Sequence, residues 1–285
     1  MLKHAFIMNV HTNFEQVKLV VDSLQFGDVY IHVDKKNEGL YHKIQEEYGN
    51  KNNIFLVRDR VYVNWSGFSQ VEATLRLLYL VNKTGRKYNY IHFISGQDLL
   101  VLSQYELDKY LMKNGLDKQY VEVEEIGAYK WRLLCYSFFR ENKNNRKLYY
   151  RILDNLIRLP QLLLIKRHTF DDMTLYKGSS WFSITYDCLL YILDYLQNNR
   201  YIDRFKYTAC SDEHFFQILL MNSKYRDNVM GKNGRYIIFE GLNASPKNLD
   251  ESDFLKFTNG EFMFARKFNY DFAKSTLKKL KERHC

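Results

Sequence analysis

The sequence lacks several features that would assign it to a simple class. It has two prolines among 285 residues, so no proline-rich linker separates independent domains. Its four cysteines show no paired spacing, which argues against a disulfide framework and against a zinc site. No apolar run approaches the roughly 18 residues of a membrane span, and the N-terminus does not read as a signal peptide. We therefore expect a cytoplasmic protein.

Familiar catalytic and nucleotide-binding motifs are also absent. The sequence has no P-loop, no G-x-G-x-x-G fingerprint, no G-x-S-x-G elbow and no H-E-x-x-H pair. Nowhere do two aspartates stand one residue apart, the usual pattern with which nucleotide-sugar transferases hold a divalent metal. If a nucleotide diphosphate binds here, cations such as Arg266 and Lys267 must neutralise it through charge-assisted hydrogen bonds. No residue pattern in the sequence indicates a metal or another cofactor.

What the sequence does have is a full complement of core residues and an excess of positive charge. Hydrophobic residues make up 46%, which excludes a disordered chain, and the formal net charge is +9. Nucleic acid, an anionic membrane and an anionic small molecule can each account for that charge, as can a solvated surface. No zinc-finger or RNP-type signature supports nucleic acid, and we predict none.

One long stretch of the chain interleaves basic and aromatic residues. Residues 136–168 read as a helix with a basic, aromatic surface, and no segment there could span a membrane. The whole stretch from Arg132 to Arg167 suggests peripheral contact with an anionic membrane at the inner face of the cell membrane. The alternative is a helical core face with a solvated basic side.

The first part of the chain alternates strand and helix patterns. We predict strands at 4–10, 28–33, 54–57 and 88–94, helices at 14–24, 39–48 and 69–80, and a later helix opened by a Ser103–Glu106 capping box. This alternation predicts an open, mostly parallel sheet with helices on both faces. Ligands of such sheets bind beyond the carboxyl ends of the strands. The residues expected there are polar and suit a nucleotide site or, individually, ordinary turns: His11, Asp34, Lys35, Lys36, Ser95, Gly96, Gln97 and Asp98.

An acidic pair, Asp212 and Glu213, opens the apolar run at 215–220. In one interpretation the stretch is a helix cap, because Ser211 or Asp212 can accept hydrogen bonds from the first turn and carboxylates suit a helix N-terminus. In the other interpretation Glu213 is a positioned catalytic base.

Six short stretches follow one another in the order of a known family. They are 30–36 (YIHVDKK), 63–67 (VNWSG), 94–98 (ISGQD), 177–182 (KGSSWF), 212–215 (DEHF) and 264–268 (FARKF). With them the sequence resembles the core-2/I-branching β-1,6-N-acetylglucosaminyltransferases and the related peptide O-xylosyltransferases, as a bacterial member. The resemblance implies a GT-A type α/β fold with a mixed, mostly parallel central sheet flanked by helices. We expect one domain over 1–285, with a nucleotide-binding half at 1–118 and an acceptor and catalytic half at 119–285.

The resemblance also implies an activity and the residues that carry it. It implies inverting transfer, without a metal, from a UDP-sugar (GlcNAc first, xylose second) to a glycan or lipid-linked glycan. Glu213 is implied as the catalytic base. The implied donor residues are His11, Asp34, Ser95, Gly96, Asp98, Arg266 and Lys267. The implied acceptor residues are Glu122, Lys130, Arg132, Trp181 and Tyr236. The alternative is a non-catalytic carbohydrate- or nucleotide-binding relative on the same fold.

Overall fold

The structure is a computed structural model that describes residues 1–11, 13–164, 167–241 and 245–284. Residues 165 and 166 of the basic, aromatic stretch lie outside the described residues. The strands are β1 (His4–Val10), β2 (Asp28–Val33), β3 (Ile54–Leu56), β4 (Tyr90–Ser95), β5 (Asp98–Leu100), β6 (Gln119–Glu122), β7 (Glu124–Glu125), β8 (Tyr176–Lys177), β9 (Phe182–Thr185), β10 (Val229–Gly231), β11 (Arg235–Ile237) and β12 (Phe264–Arg266). The α-helices are α1 (Phe14–Ser23), α2 (Glu38–Tyr48), α3 (Ser69–Lys83), α4 (Gln104–Asn114), α5 (Trp131–Leu134), α6 (Leu148–Leu164), α7 (Tyr186–Asn198), α8 (Phe215–Met221), α9 (Phe254–Phe257) and α10 (Tyr270–His284).

The central sheet has seven strands in the order β10-β6-β9-β4-β1-β2-β3. The pairs β4–β1, β1–β2, β2–β3 and β10–β6 are parallel, whereas β9 runs antiparallel to both β4 and β6. The predicted mixed, mostly parallel sheet flanked by helices is confirmed. The sheet takes strands from both halves of the chain.

Alternation along the buried strands divides the core into two layers. Ala5 and Ile7 of β1 face the layer that contains α3, α7 and α8, whereas Phe6 and Met8 face the layer of α1, α2, α4 and α10. This follows from the two-residue period of a strand, which sends successive side chains to opposite faces. The Ser103–Glu106 capping box also forms as predicted at the start of α4.

A second sheet of three strands, in the order β11-β12-β5, stands beside the carboxyl edge of the first. The pair β11–β12 is parallel, and β12 runs antiparallel to β5 so that Arg266 lies opposite Asp98. This pairing joins residues that are far apart in the sequence.

The helix predicted at 136–168 begins only at Leu148. The segment before it turns instead, because the side chain of Asn142 accepts a bond from the backbone of Asn144 and that of Asn145 donates to the carbonyl of Arg140. Such short side-chain-to-backbone bonds compete with helix formation. Between Gln119 and Glu125 the chain forms two short strands, β6 and β7, which Val123 separates.

Candidate active site

Three parallel strands bring the residues predicted for the donor to one edge of the sheet. His11, Asp34 and Ser95 follow or end the adjacent strands β1, β2 and β4. The buried Asp34 carboxylate accepts backbone bonds from Lys36 (3.0 Å) and Val63 (3.3 Å), so it orders the loop that covers this edge.

The side chain of His11 lies among charged groups at this edge of the sheet. It lies at the surface, yet neighbouring atoms desolvate it enough to lower its pKa. The charge of Asp34 acts in the opposite direction and raises the pKa, whereas Lys267, Arg266 and Lys36 lower it further. His11 therefore shares one electrostatic environment with both cations predicted to hold the diphosphate.

Arg266 reaches this edge from the three-stranded sheet. Its Nη1 donates to Ser95 Oγ and to Asp98 Oδ1, each at 2.7 Å. The Asp98 side chain is only 1% exposed and also accepts a bond from the Ser95 backbone, so in this structure it orients Arg266. Within the described ranges, the half-buried Lys267 has no anionic partner.

Arg235 is a structural cation that sequence reasoning missed. It is buried between the two sheets and donates to the carbonyls of Phe93 (2.7 Å), Phe182 (2.8 Å) and Asn233 (2.6 Å). Desolvation lowers its pKa to about 9. The burial of Arg235 is not predicted from the sequence, because an arginine in a short strand is ordinarily expected to face solvent.

The loop at 177–182 links Arg266 at the carboxyl edge of the sheet to the acidic turn. The Arg266 guanidinium lies 4.5 Å from the centre of the Trp181 ring. One residue earlier, Ser180 Oγ donates to Asp212 Oδ2 at 2.6 Å. The backbone N–H of Gly178 donates to the carbonyl of Glu213 at 2.9 Å.

The acidic pair does not cap a helix, so the capping interpretation is wrong. Residues Ser211–Glu213 form a 3-10 turn, and α8 begins at Phe215 without a side-chain cap. The Asp212 carboxylate instead accepts bonds from Gln70 (3.1 Å) and Ser180. Burial, and then the charge of Glu213, raises the pKa of Asp212 to about 6.

The Glu213 carboxylate points away from this buried cluster. Its side chain is 40% exposed and contacts the Arg132 guanidinium, which is itself 17% exposed. Arg132 also lies 4.5 Å from the centre of the Tyr129 ring. Arg132, predicted as an acceptor residue, is therefore in a position to orient Glu213.

The remaining acceptor residues are not gathered in one group. Glu122 accepts a bond from Asn233 (3.0 Å), and desolvation, followed by the charge of Glu124, raises its pKa. Lys130 is exposed at the end of the 3-10 turn Gly127–Lys130. In the described part of the chain, the ring contacts of Tyr236 are with Phe257 and Phe262, on the opposite side of β11 from Arg235.

Close packing accounts for a glycine at position 96. A Cβ at this position would lie 3.1 Å from a methyl group of Val17 in α1, closer than most such contacts. In the residues that the structure describes, no three His, Cys, Asp or Glu side chains come together as a metal site would need. Independence from metal stays a prediction.

Comparison with known proteins places these features in context. The family model described as Core-2/I-Branching enzyme matches residues 4–261, which ends before Arg266 and Lys267. The chain is 23% identical over 291 residues to xylosyltransferase 2 of Rattus norvegicus, covering 94% of this chain and 32% of that protein. It thus spans about a third of the length of this relative. Among solved structures it is similar to apo mouse xyloside xylosyltransferase 1, with 10% identity, a TM-score of 0.35, and 79% and 83% of the two chains covered.

Proposed function

The chain belongs to the Core-2/I-Branching enzyme family of glycosyltransferases, and we propose that it transfers a sugar from a UDP-sugar to a hydroxyl of a glycan acceptor. The transfer inverts the anomeric carbon and needs no metal. The donor sugar is GlcNAc or xylose. Xylose stays a candidate because a relative of this chain is a xylosyltransferase. The alternative of a non-catalytic sugar- or nucleotide-binding relative is an outcome of the experiments below.

In the proposed reaction Glu213 accepts the proton of the acceptor hydroxyl as that oxygen attacks the anomeric carbon. A single positioned base is what direct displacement requires. The bond from the anomeric carbon to the diphosphate oxygen breaks, and negative charge grows on the departing UDP. Arg266 and Lys267 stabilise that charge, and Asp98 holds Arg266 in place. Arg132 orients the Glu213 carboxylate until the acceptor arrives.

The observation that carries this proposal is a continuous series of contacts from the cations to the base. Arg266 stacks on Trp181, Ser180 binds Asp212, and Gly178 binds the backbone of Glu213. A donor diphosphate at Arg266 and an acceptor hydroxyl at Glu213 would thereby meet across one loop. Such fixed placement is a large part of the rate enhancement in displacement reactions.

Replacement of the base tests the mechanism. Glu213→Gln should lower kcat by about 100- to 10,000-fold, the range for loss of a general base, while the thermal shift caused by UDP stays nearly unchanged. Glu72→Gln, the same chemical change on the surface of α3, is the matched control and should behave like the wild type. Normal turnover by Glu213→Gln would remove Glu213 from the mechanism.

A nucleotide panel tests the donor and the metal. Thermal stabilisation by UDP, UDP-GlcNAc and UDP-xylose should persist with EDTA, and Lys267→Ala should weaken it together with the rate. A strict manganese requirement would contradict the metal-free reaction. UDP binding without transfer to any glycan would favour the non-catalytic alternative.

We also propose that α6 contacts an anionic membrane surface. Of the described helices, none is both long and apolar enough to cross a bilayer. Large apolar side chains nevertheless stand exposed on α6, at Leu148, Tyr149, Ile152, Leu153, Leu156 and Leu159. Arg151 and Arg158 lie on the same helix, whose one acidic residue, Asp154, is paired with Arg140 at 2.5 Å. An apolar face beside these two arginines suits an interface of acyl chains and anionic head groups.

Vesicle co-sedimentation tests this contact. The protein should sediment with vesicles that contain phosphatidylglycerol and less with purely zwitterionic ones, and Leu156→Gln with Leu159→Gln should abolish the difference. Leu255→Gln, at a residue 80% exposed in α9, is the matched control. Equal sedimentation of all variants would contradict a role for α6.

A further inference from the structure

A cavity of about 410 Å³ opens beside the proposed base. Arg132 and Cys210 line it, and Arg132 contacts Glu213 directly. The cavity therefore begins one side chain away from the carboxylate. No predicted acceptor residue other than Arg132 lines it.

The walls of this cavity are joined to one another. Asn145 Nδ2 donates to the carbonyls of Trp65 and Arg140, each at 2.7 Å. The Arg140–Asp154 ion pair holds α6 to the same segment. A cavity whose walls are cross-linked in this way keeps its shape without a ligand, which lowers the ordering cost of binding.

The residues that line the cavity carry an excess of positive charge. Four arginines line the cavity, Arg132, Arg140, Arg146 and Arg151, against the single carboxylate of Asp154. Arg132 and Arg140 have carboxylate partners, Glu213 and Asp154. Within the described residues, neither Arg146 nor Arg151 forms an ion pair; Arg146 lies only over the Trp65 ring, 5.6 Å from its centre.

We propose that this cavity is an acceptor subsite for a sugar that carries an oxyanion, a phosphate or a carboxylate. The inference rests on the proposed function and specifies its acceptor. Guanidinium groups bind both oxyanions through paired hydrogen bonds, and Arg146 and Arg151 line the cavity without a carboxylate partner among the described residues. The volume lies in the range of small-molecule sites and admits a hexose with its substituent. Trp65 and Trp131 add apolar wall area for the ring.

Calorimetry on the full chain tests the subsite without requiring turnover. A hexose 6-phosphate and a hexuronate should bind at least tenfold more tightly than the neutral hexose. Arg146→Gln with Arg151→Gln should weaken the charged sugars at least tenfold, because two charge-assisted contacts are lost. Lys143→Gln with Lys147→Gln removes the same charge from the same segment outside the cavity and should change binding less than twofold.

Four results would overturn the inference. The first two are unchanged sugar binding in the double arginine variant and loss of sugar binding in Lys267→Ala. The third is that inorganic phosphate binds as tightly as the sugar phosphate. The fourth is that neither charged sugar binds. The UDP thermal shift separates this failure from that of the transferase proposal. A retained shift with any of these results removes only the acceptor subsite, whereas a lost UDP shift with arginine-dependent sugar binding removes only the donor assignment.

Discussion

Gly178 stands where two backbone segments of the site approach each other closely. A Cβ at this position would lie 1.9 Å from the carbonyl oxygen of Glu122 and 2.7 Å from its carbonyl carbon. Real Cβ atoms almost never come within 3.0 Å of such atoms, so Gly178→Ala must separate the two segments by about 1.1 Å (3.0 minus 1.9). Both contacts are with backbone, which cannot turn aside as a flexible side chain would.

This displacement acts on the proposed active site through the loop at 177–182. Gly178 N–H binds the carbonyl of Glu213, and Ser180, two residues on, binds Asp212. Separation by about 1 Å would lengthen both bonds and shift Trp181 away from Arg266. A misplacement of this size costs roughly 100-fold in rate. We expect a loss of about 1–3 kcal/mol in the free energy of unfolding from strain and the weakened hydrogen bonds.

The assay compares melting temperature and kcat of Gly178→Ala with those of Gly39→Ala. Gly39 lies in α2, and a Cβ there would meet no atom within 4 Å. Alanine at this helical position should be neutral or stabilise by about 0.5–1 kcal/mol, because glycine is a poor helix former. If Gly178→Ala melted and turned over like the wild type, the loop would not hold the turn in place.

Two further predictions concern buried carboxylates. Burial raises the pKa of Asp212 to about 6, whereas the same group in the unfolded chain titrates at about 3.9. The contribution of Asp212 to stability is therefore fully present below about pH 4 and is lost as pH rises through about 6, by at most roughly 3 kcal/mol. Asp212→Asn should flatten this slope in melting curves between pH 4 and 7, and an unchanged slope would contradict the assignment. Asp98→Asn removes the buried carboxylate that pairs with the half-buried Arg266, so it should cost about 3 kcal/mol of unfolding free energy and weaken the UDP thermal shift. An Asp98→Asn protein that bound UDP normally would show that Asp98 does not position Arg266.

Much of the edge where His11, Asp34 and Ser95 lie can be predicted from the sequence, because it depends on local sequence patterns. The strands that end near His11, Asp34 and Ser95 are buried apolar runs, and parallel strands necessarily bring their carboxyl ends to one edge. The capping box of α4 is equally local, with donor and acceptor three residues apart. Such features need no knowledge of distant parts of the chain.

The features that the sequence did not reveal depend on distant pairing. Arg266 meets Asp98 only because β12 pairs with β5 across more than 160 residues, as the hydrogen bond between them spans 168 positions. The acidic turn looked like a helix cap, since nothing nearby shows that Gln70 and Ser180 bind Asp212. Periodicity does not report which side chains from other segments will satisfy a buried carboxylate.

The two neighbouring carboxylates of the turn have opposite surroundings, and this difference argues for their separate roles. Asp212 is held inside by Gln70 and Ser180, in a site that favours its protonated form. Glu213 is 40% exposed and contacts Arg132, which lines the cavity that we assign to the acceptor. Two carboxyl groups with divergent environments commonly divide structural and proton-transfer work. We therefore expect Asp212→Asn to retain most of its turnover and Glu213→Gln to lose it. If Asp212→Asn lost turnover and Glu213→Gln retained it, Asp212 would be the base and Glu213 the structural residue.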